Sequence, residues 1–302
     1  MKKFLSQTTF LAIIASLLWS SAFVGVKIGL KYHTPLQFAG VRFLLAGLIL
    51  LPVIGNWARF KTEVETNFWF VCLVAFLQVV LQYTFFYMGV NLVPASISAM
   101  IVGSSPLFVA LVAHFSIKSD RLNWVKFLSI LLGISGVAVI TLGRRNLPSG
   151  AEIAIGGVLF LIMNNVSSGI SNVVIAQKRN SVSPLVLTSS SLIIGGLEMI
   201  LISLPVEGLP KHSFPAGYFV ALAWLSFLSA TAVTIWNTLL QRPEVKVSEL
   251  NIWKFLIPVS GAILSWLILP NESPDLLSVL GMCLIGSSLV VLNLFQKKKS
   301  KV

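Results

Sequence analysis

The sequence predicts an all-α integral membrane protein of ten transmembrane helices, arranged as two inverted five-helix repeats. Three observations carry that expectation. Of 302 residues, 56% are hydrophobic and only 11% charged, with a mean hydropathy of +0.90; a soluble domain carries about 25% charged residues. Apolar runs of about 20 residues, enough to cross a bilayer, recur along the whole chain. The chain also matches itself at offsets of 149 to 152 residues.

The first run covers about 8–30 and carries Trp19, Ser20, Ser21 and, near its end, Lys27. A cleaved signal peptide is disfavoured because the run continues through Val26 with no small-x-small cleavage site after it. The second, 35–54, starts at HTP (33–35) and contains Arg42. In the third, 67–89, Gln78 and Gln82 share one helical face and Tyr83 and Tyr87 the adjacent one. The fourth, 94–116, is interrupted at Pro106, and the fifth covers 122–143. After RRNLPSG (144–150) comes the sixth, 152–177, rich in amides and hydroxyls from Asn164 to Asn172. The seventh, 183–204, follows RNSVSP and holds Glu198, the one acid well inside a run. The eighth, 216–240, carries Thr231, Thr234, Trp236 and Asn237. Lys254 and Pro258 fall in the ninth, 247–269, and LPNESPD leads into the tenth, 274–295.

The formal charge of +12 could suggest nucleic acid, but its placement points to the membrane instead. With the N-terminus cytoplasmic, only Lys31, Arg144, Arg145 and Lys211 of the 22 Lys and Arg lie in outer loops. Lys27, Arg42 and Lys254 lie within spans, and the other fifteen fall on the cytoplasmic side. That bias orients the chain with both termini in the cytoplasm of a cell whose cytoplasmic membrane it crosses.

The self-match joins TPLQFAGVRFLLAG (34–47) to SPLVLTSSSLIIGG (183–196), Ser96 and Pro106 to Ser248 and Pro258, and Asp120 to Glu272. Repeats 1–146 and 147–302 hold five spans each, and an odd number inverts the second relative to the first. Interrupted helices at matching positions of inverted halves mark the substrate site of secondary transporters. Pro106 removes the helical partner of the Val102 carbonyl, and Pro258 that of Lys254. The two breaks are either a cavity wall or packing kinks relieved by Ser104 and Ser105.

Lys254 lies about 10 Å inside its span at 1.5 Å per residue. It faces a cavity, snorkels to the inner interface, or pairs internally. Facing a cavity, it would attract a carboxylate. Glu198 and Arg42 lie at comparable depth from the other side, with Lys27 nearer the surface, which favours an ion-pair cluster; a proton-carrying role for Glu198 and snorkelling are the alternatives. Trp19, Gln82, Tyr83, Asn165, Trp236 and Ser105 complete an amphipathic pocket with aromatic walls, although such side chains also glue membrane helices together. That pocket suits amino acids or similar metabolites and suits polyphosphates poorly.

Several stretches resemble the EamA-type family of the drug/metabolite transporter superfamily. They are LLWSSAFVGVKIGL (17–30), FAGVRFLLAGLILLP (38–52), PASISAMIVGSSPLFVALVAHF (94–115), DRLNWVKFLSILLGISGVAVI (120–140) and the long stretch 234–281 beginning TIWNTLLQ. The resemblance implies ten helices, cytoplasmic termini and export or exchange of small metabolites. Asp120 stands where the family usually has a glutamate, and an acid there reads as a helix cap.

No cofactor or metal is expected. There is no GxxxxGK[ST] loop, HExxH or GxSxG; His33, His114 and His212 are scattered, and Cys72 and Cys283 lie inside apolar runs. The NVS at 165–167 lies inside a span, where it would not be glycosylated. The reading is a non-enzymatic transporter exporting a small molecule by alternating access. A lipid-linked flippase, a scaffold and an intramembrane enzyme are the alternatives, and oligomeric state leaves no mark in the sequence.

Overall fold

The computed structural model describes residues 2–116, 124–143, 154–179, 181–209 and 213–299. Asp120, RRNLPSG, Lys211 and the junction expected at 146/147 lie outside them. All regular structure among the described residues is helical. Helix α1 (Lys2–Gly29) leads through a turn to α2 (Pro35–Ile54) and a short α3 (Trp57–Thr66). Next come α4 (Phe68–Val74), a π-helical stretch (Ala75–Leu81) and α5 (Gln82–Leu92), forming one continuous body. The fourth run is split into α6 (Ala95–Gly103) and α7 (Ser105–Ser116), and α8 covers Trp124–Gly143. Then follow α9 (Ile155–Gln177), α10 (Pro184–Glu207) and α11 (Ala216–Leu240). The ninth run is α12 (Val247–Asn251), a 3-10 turn (Ile252–Phe255) and α13 (Leu256–Ile268), before α14 (Leu276–Lys299).

Seven of these bodies are long and apolar enough to cross a membrane. The fifth, ninth and tenth runs contribute shorter apolar helical stretches, Phe127–Ile140, Ile252–Ile268 and Leu276–Ser288. The outside is greasy: Trp69, Phe115 and Leu267 are each more than 75% exposed. The interior is mainly apolar but also holds polar groups, with Asn165, Asn237 and Ser189 fully buried. Apolar side chains facing outward and polar ones kept inside suit a chain solvated by lipid, where polar groups find their partners within the protein. The protein is a multi-pass membrane protein.

Helix α3 is an element the sequence reading assigned to a loop. Its start is capped by Asn56 Oδ1, which accepts the Arg59 N–H at 2.9 Å. No residue on it is buried, and Trp57 stacks on Phe60 at 5.0 Å. Ten residues with an apolar stripe and a charged face, on which Arg59 pairs with Glu63 and Lys61 with Glu65, suit a helix lying in the interface rather than across it.

The helices pair in a regular way. α2 packs on α10, α8 on α14, and α6 on α13; α1 packs on α11 and α13, while α9 packs on α5 and α7. At the α2–α10 crossing the backbones nearly touch. A Cβ on Gly47 would lie 2.8 Å from the Ser189 carbonyl, and one on Gly40 3.0 Å from the Gly196 carbonyl. Ser189 Oγ uses that proximity to donate to the Gly47 carbonyl at 2.9 Å. Small residues permit this approach, which dispersion and interhelical hydrogen bonds then stabilise.

Three carboxylates tie helix starts to distant segments. Glu207, ending α10, accepts the Leu36 and Gln37 N–H groups at 2.9 and 3.0 Å at the start of α2. Glu63 on α3 accepts the Ser183 N–H at 2.8 Å and its hydroxyl at 2.7 Å, just before α10. Glu272 accepts from Ala95 N and Ser96 N at 2.6 and 2.8 Å, at the start of α6. Each anion meets the positive end of a helix dipole and satisfies orphan donors there. Glu272, which the self-match pairs with Asp120, thus caps α6, while Asp275 accepts the Ser278 N–H at the start of α14.

Candidate functional site

Pro106 and Pro258 predict two interrupted helices, and both interruptions are present. Between α6 and α7 the chain turns at Ser104, whose N–H is donated to the Ile101 carbonyl at 3.1 Å. The same carbonyl accepts Ser104 Oγ–H at 2.6 Å and Asn165 Nδ2–H, from α9, at 2.8 Å. Donors therefore gather on Ile101, one residue before the Val102 carbonyl expected to be freed. In the second interruption the chain tightens into the 3-10 turn that carries Lys254. A Cβ on Gly103 would overlap the Pro258 ring, so the two breaks cross in direct contact.

Beside that crossing lies a cavity of about 60 Å³. Val102 and Ser105 of one broken helix and Lys254 and Ile257 of the other form part of its wall. Trp19, Gln82, Tyr83 and Asn165 line it too, and Asn164 and Ser168 extend the polar wall of α9. The apolar part is Phe23 and Phe86, an edge-to-face pair at 5.4 Å that no sequence signal distinguished from ordinary core. Trp236 is not in the lining and stands directly behind Lys254. The prolines are not in it either; they shape the backbone whose neighbours are.

Lys254 faces this cavity and does not snorkel: it is 6% exposed. Its ammonium donates to Ser168 Oγ at 3.3 Å. It also lies 4.7 Å from the Trp236 ring centroid and 5.3 Å from that of Trp19. The two indoles meet edge to face at 5.0 Å, so they form a corner with a cation in it. Among the described residues no carboxylate pairs with Lys254.

Arg42 is the correction. The expected ion pair with Glu198 is not formed. Arg42 Nε–H is donated to Ser229 Oγ at 2.8 Å and to the Leu225 carbonyl at 3.2 Å, and Nη1–H to Tyr87 Oη at 2.8 Å. Its guanidinium lies 4.8 Å from the Phe43 ring centroid and lines the cavity. Neutral acceptors and ring faces thus replace the carboxylate. Glu198 is half-buried on α10, outside the cavity lining, with no hydrogen bond or ion pair to a described residue. Sequence depth could show that the two residues were level, but not which way each helix face turned.

From Arg42 a column of rings runs to the turn before α2. Tyr87 meets Phe38 at 6.0 Å, Phe38 meets Tyr218 at 5.5 Å, and Tyr218 stacks on Phe214 at 4.2 Å. His33 stacks on Phe214 at 5.1 Å, and burial pushes its imidazole below the ordinary histidine range. The cavity itself is rich in donors. Ser105 Oγ and Trp19 Nε1 are buried with no partner among the described residues, as is Trp236 Nε1 just behind. Unpaired buried polar groups require an explanation, and a ligand is one. No group of His, Cys, Asp and Glu suited to a metal occurs among the described residues.

The EamA-like transporter family model matches residues 7–142 and again 155–294. The chain belongs to that family. Among its EamA-like relatives, an uncharacterized transporter of Synechocystis sp. is 27% identical over 94% of this chain and 88% of the relative. A "probable amino-acid metabolite efflux pump" of Salmonella typhimurium is 27% identical over 95% and 93%. One of the same description from Escherichia coli is 27% identical over 93% of each. A crystal structure of a protein 18% identical covers 97% of this chain and 98% of that one with a TM-score of 0.70, which shows a shared fold. The protein is a membrane transporter.

Proposed function

We propose that the protein is a secondary transporter that exports a small amino acid-like or other amphipathic metabolite across the cytoplasmic membrane by alternating access. The observation that carries this reading is the cavity at the crossing of the two broken helices, lined from both sides of the break and holding unpartnered donors beside Lys254. Names of the Salmonella and Escherichia relatives agree with an amino-acid metabolite as cargo.

Ten spans in two inverted halves, 1–146 and 147–302, with both termini cytoplasmic, form the framework of the proposal. The double family match supports two halves. So do the helix pairs, since exchanging each run for its counterpart five runs on maps α1–α11 onto α9–α5, and α1–α13 onto α9–α7. The two halves would rock about the Gly103–Pro258 contact, and the ring column from Arg42 to His33 would part when the cavity opens outward.

A flippase would need the polar cavity to open sideways. An apolar groove of about 490 Å³ between α1, α11 and α13 shares no lining residue with the cavity, which favours the enclosed route. An intramembrane enzyme would need acid or nucleophile pairs at one depth, and Glu198 and Lys254 do not share a site. The test compares metabolites released by cells making the protein with those from empty-vector cells. A compound enriched in the medium only with the protein is expected; identical media across amino acids and organic acids would overturn the proposal.

A further inference from the structure

The cavity is lined by two cations, Arg42 on α2 and Lys254 beside α13, and by no carboxylate among the described residues. Neither cation is spent. Of the Arg42 donors only Nε–H and one on Nη1 are engaged, and Nη2 has no acceptor among the described residues. Lys254 makes one long hydrogen bond, to Ser168, and otherwise faces two ring systems. Around them, Trp19 Nε1 and Ser105 Oγ add donors with no partner among the described residues. Ring faces and neutral oxygens can hold such cations at rest, but only an anion neutralises them, and in a low-dielectric site the uncompensated like charges repel.

We infer that the substrate class is a small dicarboxylate, with one carboxylate directed to Arg42 and the other to Lys254. This rests on the transporter reading and replaces its amino acid-like cargo with a diacid. A guanidinium fork with free N–H groups suits a carboxylate geometrically, and an ammonium suits one as a point charge. A zwitterion fits worse. Its own ammonium would enter a wall that already holds two cations, with no acid to receive it and the ring faces partly taken. A cationic substrate fits worst. The apolar Phe23–Phe86 pair is suited to the methylene spacer between two carboxylates. An Arg42–Glu198 ion pair, the reading favoured from sequence, would leave a cavity of one net charge and suit a monoanion; the absence of that pair is what changes the class.

The test uses full-length protein in proteoliposomes and radiolabelled uptake of matched compounds: succinate, glutarate and adipate, their monoamides, and glutamine and lysine. Each diacid and its monoamide are nearly equal in size and differ by one charge. Wild-type protein is expected to take up at least one diacid more than about tenfold faster than its monoamide and than glutamine, with no uptake of lysine. Arg42→Gln and Lys254→Gln should each slow that diacid more than about tenfold and bring its rate to that of the monoamide. Lys254→Arg should retain the preference, which separates charge from folding. Uptake of glutamine or monoamides at the diacid rate would overturn the dicarboxylate class while leaving transport intact. A diacid preference unchanged in both Gln variants would overturn the assignment of the two cations. Uptake of none of these compounds by correctly inserted protein, with another metabolite released by cells, would overturn the class alone; no transport in either assay would overturn both readings.

Discussion

The two interrupted helices are the most informative pair of regions in the molecule. Their prolines occupy matching places in the self-match, yet the breaks are resolved by opposite chemistry. At the first, the backbone is satisfied from within the protein: the Ile101 carbonyl takes Ser104 and, from across the bundle, Asn165. At the second, a tightened turn presents a cation to the cavity and supports it only with a hydroxyl and two ring faces. Both breaks line the cavity, but the first is braced by backbone-directed donors and the second carries a cation held by side chains. A proline at midplane therefore locates a discontinuity, and the side chains around it decide whether that discontinuity serves as a brace or as a binding site.

The contrast can be broken most directly at Lys254. Lys254→Met should reduce transport to the background of empty vesicles while membrane levels stay normal; transport at the wild-type rate would make both breaks mere braces. Next comes the point where they touch. Gly103→Val would force a side chain into the Pro258 ring and should cost about 1–3 kcal/mol by overpacking, read as a lowered melting temperature in detergent. An unchanged melting temperature would mean that the helices part easily there. Asn165→Leu removes one of the three donors to the Ile101 carbonyl and should destabilise the protein by about 0.5–1.5 kcal/mol, the net worth of one hydrogen bond. A loss of transport with no loss of stability would place Asn165 on the ligand side of the comparison instead.

The smallest effect concerns the interfacial helix. Burial raises the Glu63 carboxyl, but hydrogen bonds from the Ser183 N–H and hydroxyl and from Arg59 outweigh it and hold the group below the ordinary carboxylate range. A depressed carboxyl stabilises the fold above its unfolded value, about 4.3 for Glu, and that contribution disappears as pH falls through the folded value. Melting temperature should therefore drop as pH is lowered below about 5, and Glu63→Gln should flatten part of that slope. An identical slope in the variant would show that this cap contributes little.

Much of this was legible beforehand. Pro35–Ile54 and Ala216–Leu240 match the apolar runs end for end, because hydropathy alone defines a span in lipid. Six of the pocket residues, from Trp19 to Lys254, were visible as polar or aromatic groups at depths where lipid would reject them. Three things were hidden. The π-helical stretch Ala75–Leu81 leaves no pattern in composition. Helix α3 is too short to show a period and depends on one Asn56 cap. The partner of Arg42 depends on helix rotation, which only packing sets, so depth suggested Glu198 where the fold supplied Ser229, Leu225 and Tyr87.

The central claim is that the cavity between the breaks opens alternately to the two sides of the membrane. Ser105→Cys, made with Cys72 and Cys283 changed to Ser, places one thiol in that cavity. Its labelling by a membrane-impermeant maleimide would be measured in right-side-out and inside-out vesicles. The account predicts labelling from both sides, slowed from each by saturating substrate. Labelling from one side only, or from neither, would contradict it.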